Sequence, residues 1–352
     1  MRKNRVLQRI TVCLLVFCTS INLLSATTTS IHYISTGNSD CILISDNGHY
    51  ALIDGADNDD EKFLVKYLTD LNIKQLDYLI LTHPDADHAG GLDAVVNNFT
   101  IKNVFVGNGD TDTKTYKDFL TSCMNKKLQP SVPLADKTFT LGNGSFQFFN
   151  QKSKADNNND NSLVALYTNG SNKFLFMGDS GKEVEEALPL EKIGKVDVLK
   201  VGHHGSKSSS SEAFIKGVAP KYGVICVGKD NSYGHPHKAI LDTLNKYKVT
   251  TYRTDLNGTV IFTSDGKDIT VKTAVEEKTP ATEKASNTIL TTPTPAKIES
   301  VVVQKTSQTV YITNTGKKYH RDGCSYLKSS KITIDKDKAE KQGYEPCSKC
   351  CK

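Results

Sequence analysis

The 352-residue sequence has no apolar run of the length a bilayer span requires, about 20 residues. Its longest candidate, Ile10–Leu24, is broken by Cys13, Cys18, Thr19, Ser20 and Asn22. There is no internal repeat, which excludes solenoid and propeller architectures. There is little net charge: the formal total is +5, and Arg2, Lys3, Arg5 and Arg9 supply four of those five charges. The remainder is close to neutral, so bulk charge points to no partner. A hydrophobic fraction of 38% is modest but sufficient for a globular core.

What is present begins with those four basic residues. They precede the broken apolar run, and small residues follow at Ser25 and Ala26. This is the order of a secretory signal peptide over residues 1–26, with an uncleaved anchor as the alternative. The expected location is extracellular or at the cell surface, with no stable membrane association after signal removal. Phe17, before Cys18, is too bulky for a lipoprotein site. Cys41, Cys123 and Cys226 stand singly and read as buried thiols. Cys324, Cys347, Cys350 and Cys351 cluster near the end of the sequence.

Residues 27–274 read as one α/β unit. Cys41–Ile44 and Tyr50–Asp54 predict two strands joined by a turn at Asp46–Gly48. Phe63, Leu64, Tyr67, Leu68 and Leu71 recur at helical spacing. Leu76–Leu81, Lys173–Met177, Val196–Val201 and Tyr222–Val227 have strand length, as does the closing Gly258–Thr263, while Ala239–Tyr247 predicts a helix. Residues 275–308, rich in Thr, Pro, Ala, Lys and Glu without an apolar period, predict a flexible linker. Residues 309–352 are too few for a large core and call for a metal or disulfide staple.

The chemistry concentrates where strands end. His83, Asp85, Asp87 and His88 place four potential ligands within six residues, directly after a predicted buried strand. A loop leaving a strand can turn all four to one point. Imidazole nitrogen with carboxylate oxygen suits zinc, manganese or magnesium. Gly178-Asp179, Gly202-His203-His204-Gly205 and Gly234-His235-Pro236-His237 follow further strands or the loops they lead into. Ligands gather at the carboxyl ends of strands in open α/β layers, so these spots are expected to converge.

Together these segments resemble the metallo-β-lactamase superfamily, whose signature is His-x-His-x-Asp-His. They are closer still to the C-terminal hydrolase domain of ComEC competence proteins. The resemblance rests on His83–Gly91, Asn161–Val164, Gly178-Asp179, His203–Ser206 and Gly234–His237, and covers roughly residues 31–272. It implies an αββα four-layer sandwich with one or two divalent ions at one edge. His83, Asp87, His88 and Asp179 are the implied ligands, Asp179 bridging; Asp85, His203, His204 and His235 complete the set or contact substrate. Asp54 would orient the motif loop from behind the ligands.

Three departures matter. Asp85 replaces the signature's second His, and Asn161 and Ser162 stand where most members supply a third. The early Ser35–Asp40 segment differs from the group's Asp-Val-Gly-Gln-Gly-Asp pattern. The first two enrich oxygen and favour manganese or magnesium relative to zinc. The implied mechanism is attack by a metal-activated water oriented by Asp87, with His203, His204 or His237 stabilising the phosphorane or protonating the leaving oxygen. Ser206–Ser211 reads as a flexible polar loop, either contacting phosphate or simply solvated. The implied substrate is DNA. A small-ester or lactone hydrolase is the rival enzyme, and a non-catalytic DNA-binding or uptake accessory is the rival class. No specific protein partner is implied.

His320-x3-Cys324 and Cys347-x2-Cys350 have the spacing of a structural Cys3His zinc site. The segment resembles a short add-on of secreted nuclease-like proteins and the zinc module of the Ada repair protein. Ten basic against five acidic residues over 309–352 fit contacts to a phosphate backbone. A disulfide-stapled knob is the alternative, and Cys351 is unassigned.

Overall fold

The computed structural model describes residues 28–275, 309–313, 316–321, 324–327, 332–341 and 343–351. The expected signal segment, and the expected linker beyond Val275, lie outside the described residues. Two compact units emerge, one within Met1–Pro280 and one within Ala281–Lys352.

The first unit is built on strands β1 (Thr29–Tyr33), β2 (Ile42–Asp46), β3 (His49–Ile53), β4 (Gln75–Leu81), β5 (Thr100–Val106), β6 (Thr138–Leu141) and β7 (Gly144–Phe149). It continues with β8 (Val164–Asn169), β9 (Asn172–Phe176), β10 (Val198–Lys200), β11 (Tyr222–Ile225), β12 (Thr250–Arg253), β13 (Val260–Ser264) and β14 (Ile269–Thr273). They form two seven-stranded sheets, ordered β14-β13-β1-β2-β3-β4-β5 and β12-β11-β10-β9-β8-β7-β6. β3, β4 and β5 run parallel, as do β9 to β12, so their carboxyl ends open on one edge of each sheet.

Period-two side-chain alternation explains the layering. Along β8, Ala165 and Tyr167 face the opposite sheet, while Val164 and Leu166 face outward helices. β9 repeats this with Phe174 and Phe176 inside and Leu175 outside. Both faces are buried, which is why such strands read as unbroken apolar runs. The inner layer is aromatic: Tyr33, Phe146, Phe148, Tyr167, Phe174, Phe176 and Phe262 fill it. Helices Glu61–Asp70, Leu92–Asn98 and Lys114–Asn125 cover the first sheet. Lys182–Ala187, Glu212–Val218 and Lys238–Lys246 cover the second. The result is the αββα sandwich.

The β2–β3 turn has Asn47 and Gly48 at φ 51 and 78, the left-handed pair that matches strand twist. Asp46 beside it ties the sheets together. Its Oδ2 accepts from the Asn143 and Gly144 amides at 2.9 Å each and from the Tyr167 hydroxyl at 2.6 Å.

In the second unit, β15 (Thr309–Ile312) pairs antiparallel with β17 (Ile332–Asp335), and β16 (Lys318–Tyr319) parallel with β18 (Glu345–Pro346). Val310, Ile312, Tyr319 and Ala339 form a small core. Among the described residues no helix is long and apolar enough to cross a membrane.

Candidate metal centre

The motif loop leaves β4 at Thr82 and closes as one helical turn, Ala86–Ala89. β9 delivers Gly178-Asp179, with Gly178 at φ +55. β10 delivers His203 and His204, both left-handed at φ 48 and 50. Non-glycine residues there cost about 1–2 kcal/mol each, a strain tolerated where it aims functional side chains. His203 Nε2 and His204 Nε2 each lie 3.6 Å from Asp179 Oδ2.

Donor atoms of Asp87, His88, Asp179 and His204 all fall within 4.8 Å of one another. His88 Nε2 is 3.3 Å from Asp179 Oδ1, and His204 Nε2 is 3.4 Å from Asp87 Oδ2. Each imidazole is held by its far nitrogen. His88 Nδ1 donates to Asp54 Oδ2 at 2.8 Å, and His204 Nδ1 donates to the Cys226 carbonyl at 2.8 Å. His83 Nδ1 lies 3.2 Å from Thr82 Oγ1 and 3.3 Å from Ser162 Oγ. Asp54 is itself fixed by the Thr82 amide at 2.7 Å and hydroxyl at 2.8 Å. The near atoms, Nε2 of His83, His88 and His204 and Oδ1 of Asp179, are buried without a hydrogen-bond partner. Buried polar atoms are rarely left so. The carboxylates Asp179 and Asp54 around His88, and Asp179 and Asp87 around His204, raise these two imidazoles despite burial, so a divalent cation would displace their protons on entering this set of carboxylate oxygens and imidazole nitrogens.

Charge follows the same pattern. Burial alone would raise Asp87, but the facing His204 imidazole and the charge of His88 hold its carboxyl at about 2. Asp179 stays well below the ordinary carboxylate range despite burial, because His204 and His88 face it. Burial and the neighbouring His88 push His83 well below the usual imidazole value. His235 is lowered to about 4 by burial and by His203, His204 and His237.

The remaining sequence-predicted residues surround this cluster. Asp85 is half-buried, its Oδ2 3.8 Å from His83 Nε2 and its Oδ1 accepting from Asn158 at 3.2 Å, and it lies outside the four-residue cluster. The His235 ring sits 5.6 Å from that of His203 and 6.4 Å from that of His204. The His237 ring is 5.0 Å from that of His235, and its Nδ1 accepts the Lys207 amide at 3.2 Å. Asn161 spends its amide group on Ala155 and Asn157. Ser162 Oγ accepts from the Asp179 amide at 3.1 Å as well as meeting His83. Neither offers a third ligand.

Ser206–Ser211 corrects the expectation of a flexible polar loop. Ser209 and Ser210 are buried, Ser209 Oγ donates to the Gly202 carbonyl at 2.7 Å, and the Ser210 and Ser211 amides donate to the Glu185 carboxylate. Most of the stretch is a pinned turn behind the His pair, while Lys207 and Ser208 stay exposed and Ser208 lines a cavity beside Asp179 and His203.

Two buried residues went unread. Lys200 and Asp40, each wholly buried, form an ion pair behind the cluster. The signals were a lysine inside the apolar Val196–Val201 run and an aspartate closing the unusual Ser35–Asp40 segment.

A cavity of about 750 Å³ is lined by Asp110, Lys152, Lys154, Asp156, Asn158 and Asn161. Another of about 300 Å³ is lined by Asn157, Asp160, Asp179, Lys182, Glu183, His203 and Ser208. In the second unit, donor atoms of His320, Cys324, Cys347 and Cys350 also fall within 4.8 Å of one another. Every described cysteine is unpaired. Cys351 Sγ stands 3.7 Å from Cys350 Sγ.

Residues 34–229 match the family model of the metallo-beta-lactamase superfamily. The chain is 35% identical over 206 residues to ComE operon protein 3 of Bacillus subtilis, covering 57% of this chain and 26% of that protein. It is 31% identical over 188 residues to Recombination protein 2 of Haemophilus influenzae, covering 53% of this chain and 22% of that protein. The matched region is thus 26% and 22% of the length of these curated relatives. Among solved structures, the metallo-beta-lactamase fold protein YhfI from Bacillus subtilis is similar with a TM-score of 0.48 at 11% identity, over 68% of this chain and 100% of that one.

Proposed function

This chain belongs to the metallo-beta-lactamase superfamily, and from that premise we propose that it is an exported metal-dependent phosphodiesterase acting on DNA. The observation that carries the reading is the convergence of Asp87, His88, Asp179 and His204, with buried donor atoms lacking any other partner. These four residues, with His83 beside them, would hold one or two divalent ions. Such an ion supplies Lewis acidity, making water a competent nucleophile near neutral pH and polarising the attacked ester.

The chain's own groups do the rest. Asp54, Cys226 and the Thr82–Ser162 pair occupy the far nitrogens of His88, His204 and His83, so three Nε2 atoms are presented in fixed orientation. Asp87, held ionised by His204, is the acceptor that orients the attacking water. His237 accepts the Lys207 amide at Nδ1, which leaves its Nε2 to carry the proton a departing alkoxide requires. Lys152, Lys154 and Lys182 line the two cavities beside Asp110, Asp156, Asp160 and Glu183, so each would meet a phosphate singly and not as part of a basic patch. The name of one relative, Recombination protein 2, supports nucleic acid as substrate. The Cys3His cluster of the second unit would hold a structural zinc ion, and the basic balance of that segment would add backbone contacts.

The test is cleavage of single- and double-stranded DNA by residues 27–352 with magnesium, manganese or zinc in turn, beside Asp87→Ala. Metal-dependent cleavage should fall at least about 100-fold in the variant. Absence of cleavage by a chain shown to bind metal would refute the nuclease reading and leave a small-ester hydrolase or a binding protein.

A further inference from the structure

Behind the donor cluster lies a second layer of charge that the mechanism above does not use. Lys200 is wholly buried on β10. Its ammonium group pairs with Asp40, donates to the Gly178 carbonyl at 3.1 Å and lies 3.9 Å from Asp179 Oδ1. Asp40 is tied to further parts of the site. Its amide donates to the Asp87 carbonyl at 3.1 Å, and its carbonyl accepts the Ala56 amide at 2.8 Å, two residues beyond Asp54. Its carboxylate lies 3.5 Å from His204 Nδ1 and 3.9 Å from His88 Nδ1.

From these contacts we infer that Lys200 and Asp40 form a positioning pair that sets how tightly the cluster holds its metal. The inference rests on the metal reading of the cluster. The Gly178-Asp179 turn comes from one sheet and the Asp87–His88 turn from the other, and this ion pair joins them from behind. An ammonium is a cation that cannot leave. It offsets the mutual repulsion of Asp40, Asp54, Asp87 and Asp179 before any metal arrives, and so keeps their spacing fixed. A buried ion pair is weak evidence for stability as such, because replacing both partners by neutral groups is often neutral for folding. Its placement against the backbone of two ligand-bearing turns points instead to geometry.

The design of the test follows from that asymmetry. Lys200→Met alone leaves a buried carboxylate unpaired and is expected to unfold readily. Asp40→Asn keeps an oxygen acceptor for Lys200, and the double variant Lys200→Met/Asp40→Asn removes both charges. The full chain and these two variants are titrated with Mn²⁺ by electron paramagnetic resonance, since manganese prefers the carboxylate–imidazole cluster to the thiolates of the second unit. Thermal melts in chelator run in parallel. Both variants should fold, the double variant with a chelator melt near that of the wild type and Asp40→Asn with a lower one, yet both should bind Mn²⁺ about 10–100-fold more weakly. Wild-type affinity and stoichiometry in either folded variant would overturn the role of the pair. Failure of both variants to fold would overturn it too, by showing the pair to be part of the core. No Mn²⁺ binding by the wild-type chain would instead defeat the metal reading, and this inference with it.

Discussion

Each imidazole of the cluster has one nitrogen spent and one offered, and the spent nitrogen decides the offered one. At His88 the deciding partner is Asp54, which is itself in the left-handed region at φ 59 and takes two further hydrogen bonds from Thr82. Asp54→Asn keeps the volume but lets the amide present a donor to His88 Nδ1, which would move the imidazole proton to Nε2, where the metal is needed. The expected outcome is metal affinity lowered about 10–100-fold with the fold retained, read by Mn²⁺ titration and circular dichroism. Unchanged affinity would show that Asp54 serves packing alone.

At the scale of elements, the glycine after the motif is instructive. Gly90 has an ordinary helical φ of −51, so its backbone angle does not call for glycine. Its need is close approach: a Cβ there would lie 2.2 Å from the Asp57 carbonyl carbon and 2.3 Å from the Asn58 nitrogen. Gly90→Ala should cost about 1–3 kcal/mol in urea unfolding and displace the turn that carries Asp87 and His88. Equal urea midpoints for variant and wild type would refute this. The strands that sequence made legible were apolar on both faces, such as β4 and β9, or flanked by a strong turn signal, such as β2 and β3. β6, β7 and β12 were not legible, because polar residues such as Thr138, Thr140, Ser145, Gln147 and Thr250 interrupt them at a sheet edge or, for β7, one strand in from it. The ligand-bearing turns were readable because their residue types are rare together. Lys200 and Asp40 were not, because a single buried charge gives no pattern until the fold supplies its partner.

The whole molecule carries a pH sensitivity that lies away from the site. His32, on β1, is buried, with Nδ1 2.8 Å from the Tyr67 hydroxyl and Nε2 3.0 Å from that of Ser30. Burial lowers it from 6.5 to about 4. Between those values the unfolded chain binds more protons, so stability is full above about pH 6.5 and falls as pH drops toward 4. The total loss from this one group is at most about 3 kcal/mol. His32→Gln should flatten the dependence of the urea midpoint on pH across that window. An unchanged slope would assign the sensitivity elsewhere.

The two sheets also differ in how the chain supplies them. The second is made from one stretch, β6 to β12, whereas the first opens with β1 to β5 and is finished only by β13 and β14, which return beside β1. A ribosome releasing this chain in order therefore leaves β1 with a bare edge until Val260–Ser264 has emerged. The donor cluster cannot assemble until His204 has followed Asp87 and His88 into the growing product. Assembly of the centre thus waits on the second half of the chain, and a nascent chain caught before β13 would present an uncapped sheet.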